Sequence, residues 1–493
     1  MRFGELIEGL AIQAARGPLE VEVRDLGCDS REVCDGWVFV ALRGETSDGA
    51  DFIPKALAQG ARAILCDRNL ETEAPFAVLD SPRETLALAA QKLHGYPDRQ
   101  LALIGVTGTN GKTTTTMLIR QLLRAAGQGC GLIGTVLNAA GDEEAEAVRT
   151  SPESPVFYRW LRKSVAAGDA ALAIETSSHA LCLARVHGAR FKVGVFTNLT
   201  QDHLDFHGDM ESYFRAKCRL FDQSERALVN ADDPYGRRIL GERPAKSFGI
   251  EAAADYRLTN LVMSPLETRF HLQTPQGAWE VESPLLGRFN AYNMLAALAA
   301  LAEAGFQLAG ILPNLAQIKG APGRIDRVNL GQPFGVMVDY AHTPDALEKL
   351  MVEGKRLLPP GGRLHVLFGC GGDRDRSKRP LMAAAVAQVA DILWHTSDNT
   401  RTEDPEQILD DAAAGIPSII RGSEQRYHRI PDRALAVQTA VAACRPGDLL
   451  LVAGKGHEPY QEVMGVKHPY NDRAAVEAAL RGTAIPRPWA SRS

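Results

Sequence analysis

Short apolar stretches alternate with longer stretches of helical character along most of this chain. Examples of the apolar stretches are LALIGVTG (101–108), VMVDYA (336–341), HVLFG (365–369), ADILWHT (390–396) and DLLLVAG (448–454). Buried strands that alternate with helices are typical of sheets in which each helix carries the chain back to start a parallel strand. We therefore predict an α/β fold with parallel sheets.

The chain is too long for one hydrophobic core, because it has 493 residues. A linker-like segment, HGYPDRQ, lies near residue 96, and a second Pro- and Gly-containing segment, APGRIDRV, follows an Ala-rich helical stretch. We predict three domains, at residues 1–96, 97–326 and 327–493. The first is a small N-terminal α/β domain, the second contains a phosphate loop on a parallel sheet, and the third is Rossmann-like.

Composition excludes several classes of partner. The net charge of −5 provides no basic surface for nucleic acid, and no apolar run approaches the roughly 20 residues of a membrane span. The N-terminal segment contains Glu5 and Glu8 and does not resemble a secretory signal. The eight cysteines contain no CxxC pair, which is typical of reduced thiols. We expect a cytoplasmic protein, without nucleic-acid partners or membrane insertion.

A candidate phosphate loop follows the strand LALIGVTG. The sequence TNGKTTTT comes next, and a helix, MLIRQLLRAAG, follows it. Backbone N–H groups and the positive end of a helix dipole would face phosphate at such a junction. Lys112 would reach the terminal phosphates of ATP, and the Thr113 hydroxyl would bind Mg²⁺. The alternative is a chance glycine turn before a helix. The predicted ATP-binding residues here are Gly108, Thr109, Asn110, Gly111, Lys112, Thr113 and Thr114.

Two further segments place polar side chains at strand ends. The strand ALAIE ends at Glu175, and a second strand is followed by TNLTQDHLDFHG, which contains His203. Carboxyl ends of parallel strands share one edge of a sheet, where ligands gather. A carboxylate and an imidazole there would suit Mg²⁺ or Mn²⁺ next to phosphate. The alternative is that Glu175 caps a helix and His203 lies in a solvated loop.

Lys217 occupies an unusual position in the segment DMESYFRAKCRLF. The segment is predicted to be a helix with Asp209 as its N-cap, and helical spacing places Lys217 within its apolar stripe. A buried lysine must be neutral, paired or modified, and a neutral amine can react with CO₂ to form a carbamate. Spacing alone favours the alternative, a lysine whose head extends to solvent.

Together these and other segments resemble the Mur ligase family. They are TGTNGKTTT, ETSSHAL, TNLTQDHLDFHGDMESYFRAK, GRFNAYN, VDYAHTPDAL, FGCGGDRDRSKRP and GKGHEPYQ, and the N-terminal DSREVCDGWVFVALRG is similar to the uridine-nucleotide domain of the family's tripeptide synthetases. The resemblance covers nearly the whole chain and is nearest to the members that add 2,6-diaminopimelate.

The resemblance implies a reaction and its cofactors. ATP, with Mg²⁺, would phosphorylate the free carboxylate of UDP-MurNAc-L-Ala-D-Glu, and the amine of meso-diaminopimelate would attack the acyl phosphate. The implied catalytic residues are Lys112, Glu175, His203 and Lys217. The implied metal ligands are Thr113, Glu175, His203 and a CO₂-derived carbamate on Lys217, which reverses the preference from spacing alone.

The resemblance also implies substrate-binding residues outside the phosphate loop. Residues implied near ATP are Asn290, Asn293, Arg324, Asp339 and His342. Residues implied to bind the UDP substrate are Ser30, Thr150, Ser151, Ser177 and Arg185. The family usually has two threonines where this chain has Thr150 and Ser151, and serine keeps the hydroxyl donor. We expect the C-terminal domain to rotate over ATP, and we expect a monomer.

The identity of the added amino acid depends on one segment. Diaminopimelate-adding members have DNPR, where this chain has Asp398, Asn399, Thr400 and Arg401. A guanidinium can bind the second carboxylate of diaminopimelate bidentately, and lysine would leave it unpaired. The alternative is a surface arginine, and Thr400 lacks the fixed φ of proline. The implied amino-acid-binding residues are Arg374, Asp398, Asn399, Thr400, Arg401, Gly454 and Glu458, with Glu458 receiving the distal ammonium.

Other functions remain open at this point. Related enzymes of the same fold add D-Ala-D-Ala or glutamate, and the latter act on folate. A more distant alternative is a switch protein that uses its phosphate loop without ligation. The segment GCGGD (369–373) follows a strand but lacks the G-x-G-x-x-G spacing of a dinucleotide site.

Overall fold

The computed structural model describes residues 1–44, 47–263 and 268–485. The chain divides into two compact units. The first comprises Met1–Asn260, Phe270–Val281 and Tyr292–Ile318, and the second comprises Leu261–Arg269, Glu282–Ala291 and Lys319–Ser493. Within the described ranges, no helix has both the length and the apolar character that crossing a bilayer requires.

The first unit begins with a five-stranded sheet in the order β1-β5-β4-β3-β2. Strands β2 to β5 are parallel, and β1 pairs antiparallel with β5. The strands are β1 (Ile12–Arg16), β2 (Asp25–Gly27), β3 (Trp37–Ala41), β4 (Ala63–Cys66) and β5 (Phe76–Leu79). The helices are α1 (Phe3–Ile7), α2 (Ile53–Ala58) and α3 (Pro82–Leu93). Strands β4 and β5 are buried along their whole length, as expected for parallel strands covered on both faces.

The second sheet has eleven strands in the order β16-β15-β14-β13-β12-β11-β6-β10-β7-β8-β9. Its strands are β6 (Ala102–Thr107), β7 (Cys130–Ile133), β8 (Leu137–Ala140), β9 (Glu143–Glu146), β10 (Ala171–Glu175), β11 (Phe191–Phe196), β12 (Ser224–Asn230), β13 (Lys246–Gly249), β14 (Tyr256–Met263), β15 (Thr268–Thr274) and β16 (Gly277–Ser283). In this spatial order, every neighbouring pair between β13 and β7 is parallel. Strands β8 and β9 add antiparallel pairs at the edge next to β7.

Helices connect these strands and carry several of the predicted site residues. They are α4 (Lys112–Ala125), α5 (Ser154–Ala166), α6 (Ser178–Cys182), α7 (Leu204–His207), α8 (Met210–Cys218), α9 (Pro234–Glu242), α10 (Arg288–Glu303) and α11 (Leu308–Ile311). In the sheet, β6 lies between β10 and β11. The carboxyl ends of these three parallel strands therefore meet at one edge, where a ligand site is expected in an open α/β sheet.

The second unit is built on a six-stranded sheet in the order β17-β18-β22-β19-β20-β21. All pairs are parallel except β17 with β18. The strands, including a hairpin of β23 and β24, are β17 (Asp326–Arg327), β18 (Gly335–Asp339), β19 (Leu364–Phe368), β20 (Ile392–His395), β21 (Tyr427–Arg429), β22 (Leu449–Ala453), β23 (Tyr460–Val463) and β24 (Val466–Pro469). The helices are α12 (Pro344–Leu357), α13 (Lys378–Val389), α14 (Pro405–Ala413), α15 (Ser418–Arg421), α16 (Arg433–Ala443) and α17 (Asp472–Arg481).

The predicted α/β class is confirmed, with two corrections of detail. The sheets are mixed, because antiparallel strands lie at their edges. Helix α4 begins at Lys112, before the predicted start at Met117, and Thr115 and Thr116 within it are fully buried. The Thr116 hydroxyl donates to the Lys112 carbonyl, which satisfies its polar group inside the helix. The predicted domain boundaries near residues 96 and 326 stay predictions.

Candidate active site

The turn between β6 and α4 requires glycine at two positions. Gly108 has a φ of 143°, and a Cβ there would lie 1.9 Å from Thr197 Oγ1. Gly111 is the N-cap of α4 with a φ of 86°, and a Cβ there would lie 2.4 Å from Asn293 Oδ1. Both backbone conformations lie in the region that favours glycine. The glycines of the predicted phosphate loop are thus needed for close approach as well as for backbone shape.

The segment after β11 holds the phosphate loop in place. Thr197 Oγ1 donates to the Asn110 carbonyl at 2.6 Å, and Asn198 Oδ1 accepts from the Asn110 N–H at 3.0 Å. The Thr109 hydroxyl donates to the Thr200 carbonyl at 3.1 Å. We did not predict roles for Thr197, Asn198 and Thr200, although they are polar residues directly after a buried strand, which is the signal that could have identified them.

Thr113 and Glu175 bring two oxygen donors together at the N-terminus of α4. The Thr113 hydroxyl donates to Glu175 Oε2 at 2.9 Å, and Glu175 Oε1 accepts from the Thr135 N–H at 2.7 Å. Glu175 is 1% exposed, and the N-cap of α6 is Ser177, so the half of the alternative that concerns Glu175 is wrong. The Lys112 ammonium donates to the carbonyls of Gly108 and Thr109 at 2.9 and 2.8 Å.

Lys217 is buried beneath the phosphate loop. It is 1% exposed, its Nζ donates to the Gly108 carbonyl at 2.8 Å, and it lies 4.4 Å from the centre of the Tyr213 ring. The expectation from spacing, a head group reaching solvent, is therefore wrong. Burial lowers the pKa of Lys217 well below its usual value, and the charge of Lys112 lowers it further. Helix α8 has the predicted N-cap, since Asp209 Oδ1 accepts from the Ser212 N–H at 2.8 Å.

His203 lies among aromatic rings next to this loop. Its side chain is 47% exposed, its ring centre is 4.9 Å from that of His179, and that of Tyr213 is 6.1 Å away. Burial lowers the pKa of His203, although Asp202 acts in the opposite direction, so the neutral imidazole is favoured. The structure does not bring His203 and Glu175 into direct contact. Among the residues described, no group of three or more His, Cys, Asp or Glu side chains could hold a metal ion.

Three hydroxyl-bearing residues predicted to bind the UDP substrate lie beside Glu175. The Ser151 hydroxyl donates to the Glu175 carbonyl at 2.7 Å, and the Ser177 N–H donates to Ser151 Oγ at 3.1 Å. Thr150 Oγ1 accepts from the Thr135 hydroxyl, also at 3.1 Å. The structure thus brings Thr150, Ser151 and Ser177 together at the carboxyl end of β10.

Three guanidinium groups converge on one carboxylate in the same region. Glu153 lies 2.9 Å from Arg185, 2.7 Å from Arg149 and 3.6 Å from Arg83. Arg185 Nε is buried and has no hydrogen-bond partner within the described residues. Three positive charges opposed by one negative charge favour an anionic ligand. Arg83 also lines a cavity of about 370 Å³.

Ser30, the remaining residue predicted to bind the UDP substrate, lies three residues after β2. It is 5% exposed. It belongs to the first unit, and its role stays a prediction.

In the second unit, Arg324, Asp339 and His342 surround Tyr340. The Arg324 guanidinium lies 4.8 Å from the centre of the Tyr340 ring, and the His342 ring centre is 4.6 Å from it. Asp339 Oδ2 accepts from the Ile325 N–H at 2.7 Å, and burial raises the pKa of Asp339. Asn290 and Asn293 both belong to α10.

Arg401 has a constrained backbone and a bonded side chain. Its φ is 51°, its N–H donates to the Glu462 carbonyl at 3.2 Å, and its carbonyl accepts from the Gly465 N–H at 2.9 Å. Its Nη1 donates to the Gly372 carbonyl at 2.5 Å. Arg401 is therefore half-buried and held by backbone hydrogen bonds, and its role in binding the amino acid stays a prediction. A Cβ on Gly371 would lie 3.1 Å from Arg401 Nη1 and 3.7 Å from Arg374 Cγ. The side chains of the two arginines therefore both pack next to this glycine.

The remaining amino-acid-site residues form a connected group. Asn399 Nδ2 donates to Glu458 Oε2 at 2.8 Å. Gly454 has a φ of 116°, and a Cβ there would lie 2.6 Å from Asp398 Oδ2. Thr400 is fully buried. The structure thus brings together residues that are more than fifty positions apart in the sequence. It also adds Lys455, whose role we did not predict although it lies inside the segment GKGHE.

Family comparisons match all three regions of the chain. The Mur ligase middle domain matches residues 106–301, the Mur ligase glutamate ligase domain matches residues 323–456, and the Mur ligase family catalytic domain matches residues 22–103. Over 467 residues, covering 92% of this chain and 94% of the relative, the chain is 44% identical to the UDP-N-acetylmuramoyl-L-alanyl-D-glutamate–2,6-diaminopimelate ligase of Geobacillus thermodenitrificans. The chain belongs to the Mur ligase family.

Further relatives and solved structures match this Mur ligase over most of its length. The enzyme of the same name from Solibacter usitatus is 42% identical over 493 residues, covering 98% of this chain and 99% of the relative. A solved structure of a ligase with that name matches with a TM-score of 0.71 and 35% identity, over 98% of this chain and 99% of that chain. The MurF ligase from Thermotoga maritima, solved in complex with ADP, has a TM-score of 0.62 at 21% identity, over 93% of this chain and 96% of that chain, and shares the fold.

Proposed function

We propose that this Mur ligase joins meso-diaminopimelate to the D-glutamate carboxylate of UDP-MurNAc-L-Ala-D-Glu, with ATP as the energy source, in the synthesis of peptidoglycan precursors. The printed names of relatives that match over more than nine-tenths of the chain support this substrate pair. The geometric observation that carries the proposal is the buried contact of Thr113 with Glu175 at a phosphate loop.

The nucleotide half of the site follows from that contact. The N–H groups at the start of α4 and the Lys112 ammonium would bind the terminal phosphates of ATP. The oxygens of Thr113 and Glu175 are the kind of ligand that Mg²⁺ prefers, and a neutral His203 imidazole could join them. Bound Mg²⁺ would neutralise charge on the transferring phosphoryl group.

Lys217 is proposed to carry the carbamate. Its burial and lowered pKa favour the neutral amine, which attacks CO₂ at carbon, releases one proton and becomes an anion. The positive charge of Lys112 would attract a carbamate anion on Lys217, whereas it repels a protonated Lys217. We expect ¹³C-bicarbonate to produce a carbamate carbon resonance in the wild type that is absent in Lys217→Ala. A wild type with no such resonance under saturating bicarbonate would contradict the assignment.

The acceptor substrate would bind beside Glu175. The hydroxyls of Thr150, Ser151 and Ser177 would position the peptide carboxylate, and the arginine cluster around Glu153 would bind the diphosphate. The buried, unpartnered Nε of Arg185 supports an anionic ligand at this point. Attack of the carboxylate on the γ-phosphorus releases ADP, and the amine then displaces phosphate from the acyl phosphate through a tetrahedral intermediate.

Arg401 is proposed to select the diamino acid with a second carboxylate. We expect Arg401→Ala to raise the diaminopimelate KM by about tenfold to hundredfold, because a charge-assisted pair is lost, and to leave the ATP KM nearly unchanged. Steady-state kinetics with each substrate varied will measure this. Arg429→Ala is the matched control, since Arg429, in edge strand β21 of the same unit, pairs with the exposed side chains of Glu406 and Asp410. Unaltered diaminopimelate kinetics in Arg401→Ala would refute the assignment.

A ligation assay tests the proposed function as a whole. Purified chain would receive ATP, Mg²⁺ and UDP-MurNAc-L-Ala-D-Glu with meso-diaminopimelate, L-lysine or D-Ala-D-Ala, and phosphate release and product mass would be followed. We expect product with meso-diaminopimelate. Preference for D-Ala-D-Ala would indicate a different ligase of this fold, and nucleotide hydrolysis independent of both substrates would indicate a switch protein. Lys112→Ala is the inactive control.

We also propose a cytoplasmic location and a monomeric state. The eight cysteines are free thiols, a state that the cytoplasm maintains, and ATP and nucleotide-linked precursors are cytoplasmic substrates. Light scattering on the eluting chain would measure its mass, and a mass twice that of the 53.3 kDa chain would contradict a monomer.

A further inference from the structure

Lys455 is a buried cation within the amino-acid site. Its side chain is 0% exposed, and its ammonium lies 2.6 Å from Glu458 Oε2, 2.8 Å from Asn399 Oδ1 and 3.9 Å from Asp398 Oδ1. A buried ammonium is costly unless acceptors surround it. All three acceptors belong to residues expected to bind the incoming amino acid, so Lys455 connects the two sequence segments that form this site.

The first consequence concerns the orientation of Asn399. Its Oδ1 accepts from the Lys455 ammonium and from the Glu462 N–H at 2.9 Å, and its Nδ2 donates to Glu458 Oε2 at 2.8 Å. A carboxamide rotated by half a turn would direct its NH₂ group at two donors and its oxygen at a carboxylate. Lys455 and the Glu462 N–H therefore together fix which face of Asn399 points to Glu458.

The second consequence concerns Glu458. Its Oε2 accepts from both Lys455 and Asn399, whereas Oε1 has no hydrogen bond from the described residues. The side chain is 20% exposed, so Oε1 remains accessible to a ligand. With Asp398 close by, two carboxylates and one ammonium leave one formal negative charge in this group. One ammonium from a ligand would bring the group to neutrality.

We propose that Lys455 is a specificity-determining positioning residue, which holds Glu458 and Asn399 so that the site accepts the distal ammonium of a diamino acid. This inference rests on the proposed ligase function. It assigns to Lys455 a role distinct from the one proposed for Arg401, which is to bind the second carboxylate of the same substrate. Lys455 does not touch the substrate and acts through the two side chains that it orients.

The test compares diaminopimelate with 2-aminopimelate, which lacks the distal amine. We expect the wild type to have a higher kcat/KM with diaminopimelate than with 2-aminopimelate. Lys455→Met should reduce the ratio of the diaminopimelate value to the 2-aminopimelate value by about tenfold or more, because the charge-assisted hydrogen bond that orients Glu458 is lost. The ATP KM should stay within about twofold of the wild type. A role limited to stability would lower both kcat/KM values together and leave their ratio unchanged.

Two further variants keep the inference testable if Lys455→Met folds poorly. Glu458→Gln preserves side-chain shape and should reduce the same ratio, and adding Lys455→Gln to it should cause little further loss, because the two residues act as one unit. Independent losses that multiply in the double variant would overturn the proposal. Absence of ligation by the wild type would overturn both proposals, whereas wild-type ligation with an unchanged ratio in Lys455→Met would overturn this one alone.

Discussion

Individual buried polar atoms in this site are mostly paired, and the exceptions are informative. The Thr197 hydroxyl has an acceptor in the phosphate loop, whereas Thr400 Oγ1 is buried without a partner among the residues described. An unsatisfied buried hydroxyl lowers stability, since its hydrogen bonds to water are lost on folding and are not replaced. Thr400 stands where related ligases have proline, which carries no hydroxyl.

We therefore predict that Thr400→Val stabilises the protein. The change removes the unpaired hydroxyl and keeps the branched shape, so the free energy of unfolding should rise by about 1 kcal/mol. Thr197→Val is the matched control and should lower it by about 1 kcal/mol, because it removes the hydrogen bond to the Asn110 carbonyl. Urea unfolding of the three proteins measures both. A lower unfolding midpoint for Thr400→Val would show that the hydroxyl is satisfied in solution.

At the scale of elements, the phosphate loop combines backbone shape with close packing. Gly108 and Gly127 both have positive φ values, but only Gly108 lies against another segment. A Cβ on Gly127, which follows α4, would meet no atom within 4 Å. The two glycines therefore separate the effect of backbone conformation from the effect of contact.

We predict that Gly108→Ala weakens ATP binding more than tenfold, because the new methyl group must displace Thr197 and with it the loop. Gly127→Ala should leave ATP affinity unchanged and lower stability by about 1 kcal/mol, the usual penalty for a side chain in this region. Calorimetric titration with an ATP analogue provides the affinities. Equal affinities for both variants would show that contact with Thr197 is unimportant.

A buried ion pair joins elements of the C-terminal sheet. Arg433 and Asp472 are both 0% exposed and 2.7 Å apart, and Arg433 also donates to the Ala453 carbonyl at 2.9 Å. The pair links the start of α16 and the start of α17 to the end of β22. Because Gly454 directly follows β22, this pair supports the amino-acid site without touching a ligand.

We predict that Asp472→Asn lowers the free energy of unfolding by about 3–5 kcal/mol, because it leaves a buried guanidinium without its charge partner. The double variant Arg433→Met with Asp472→Leu should be less destabilised than Asp472→Asn, since both charges are removed. Asp410→Asn, at the exposed pair with Arg429, is the control and should cost less than about 1 kcal/mol. A lower free energy of unfolding for the double variant than for Asp472→Asn would contradict this account.

At the scale of the first unit, one carboxylate joins its two sheets. Asp25 in β2 accepts from the Arg159 guanidinium of α5 at 2.8 Å and lies 3.4 Å from the His94 ring. Burial acts to raise the pKa of Asp25, but the contacts with His94 and Arg159 outweigh it and lower the value to about 2. A depressed carboxyl pKa contributes stability above the unfolded-state pKa and loses it as the pH falls through the folded value.

We predict a corresponding pH dependence for Asp25→Asn. The variant should be less stable than the wild type by on the order of 2 kcal/mol near neutral pH, and the difference should shrink as the pH falls from about 4 towards 2. Asp35→Asn, at an exposed pair with Arg62, should show almost no difference at any pH. Denaturant unfolding between pH 7 and pH 3 measures both. A difference that is constant over this range would contradict the assigned contact.

Local pattern was sufficient to predict the α/β class, the strand, glycine loop and helix at residues 102–125, and the position of Glu175 at the end of β10. Each depends on a few neighbouring residues, such as a buried strand followed by Gly111, Lys112 and Thr113, whose backbone preferences and chemistry are intrinsic. The prediction for Lys217 from spacing was wrong, because helical spacing specifies a face of α8 but not whether another segment covers it.

Pairings between distant residues could not be obtained in this way. Lys455 reaches Asn399, and Arg433 reaches Asp472, only because strands and helices far apart in the sequence pack side by side. A buried charge is tolerated where such packing supplies its partner, and the chain order does not indicate which partner that is. Short sequence segments thus show which residue types form the site, whereas the contacts between these residues arise from the packing of whole helices and strands.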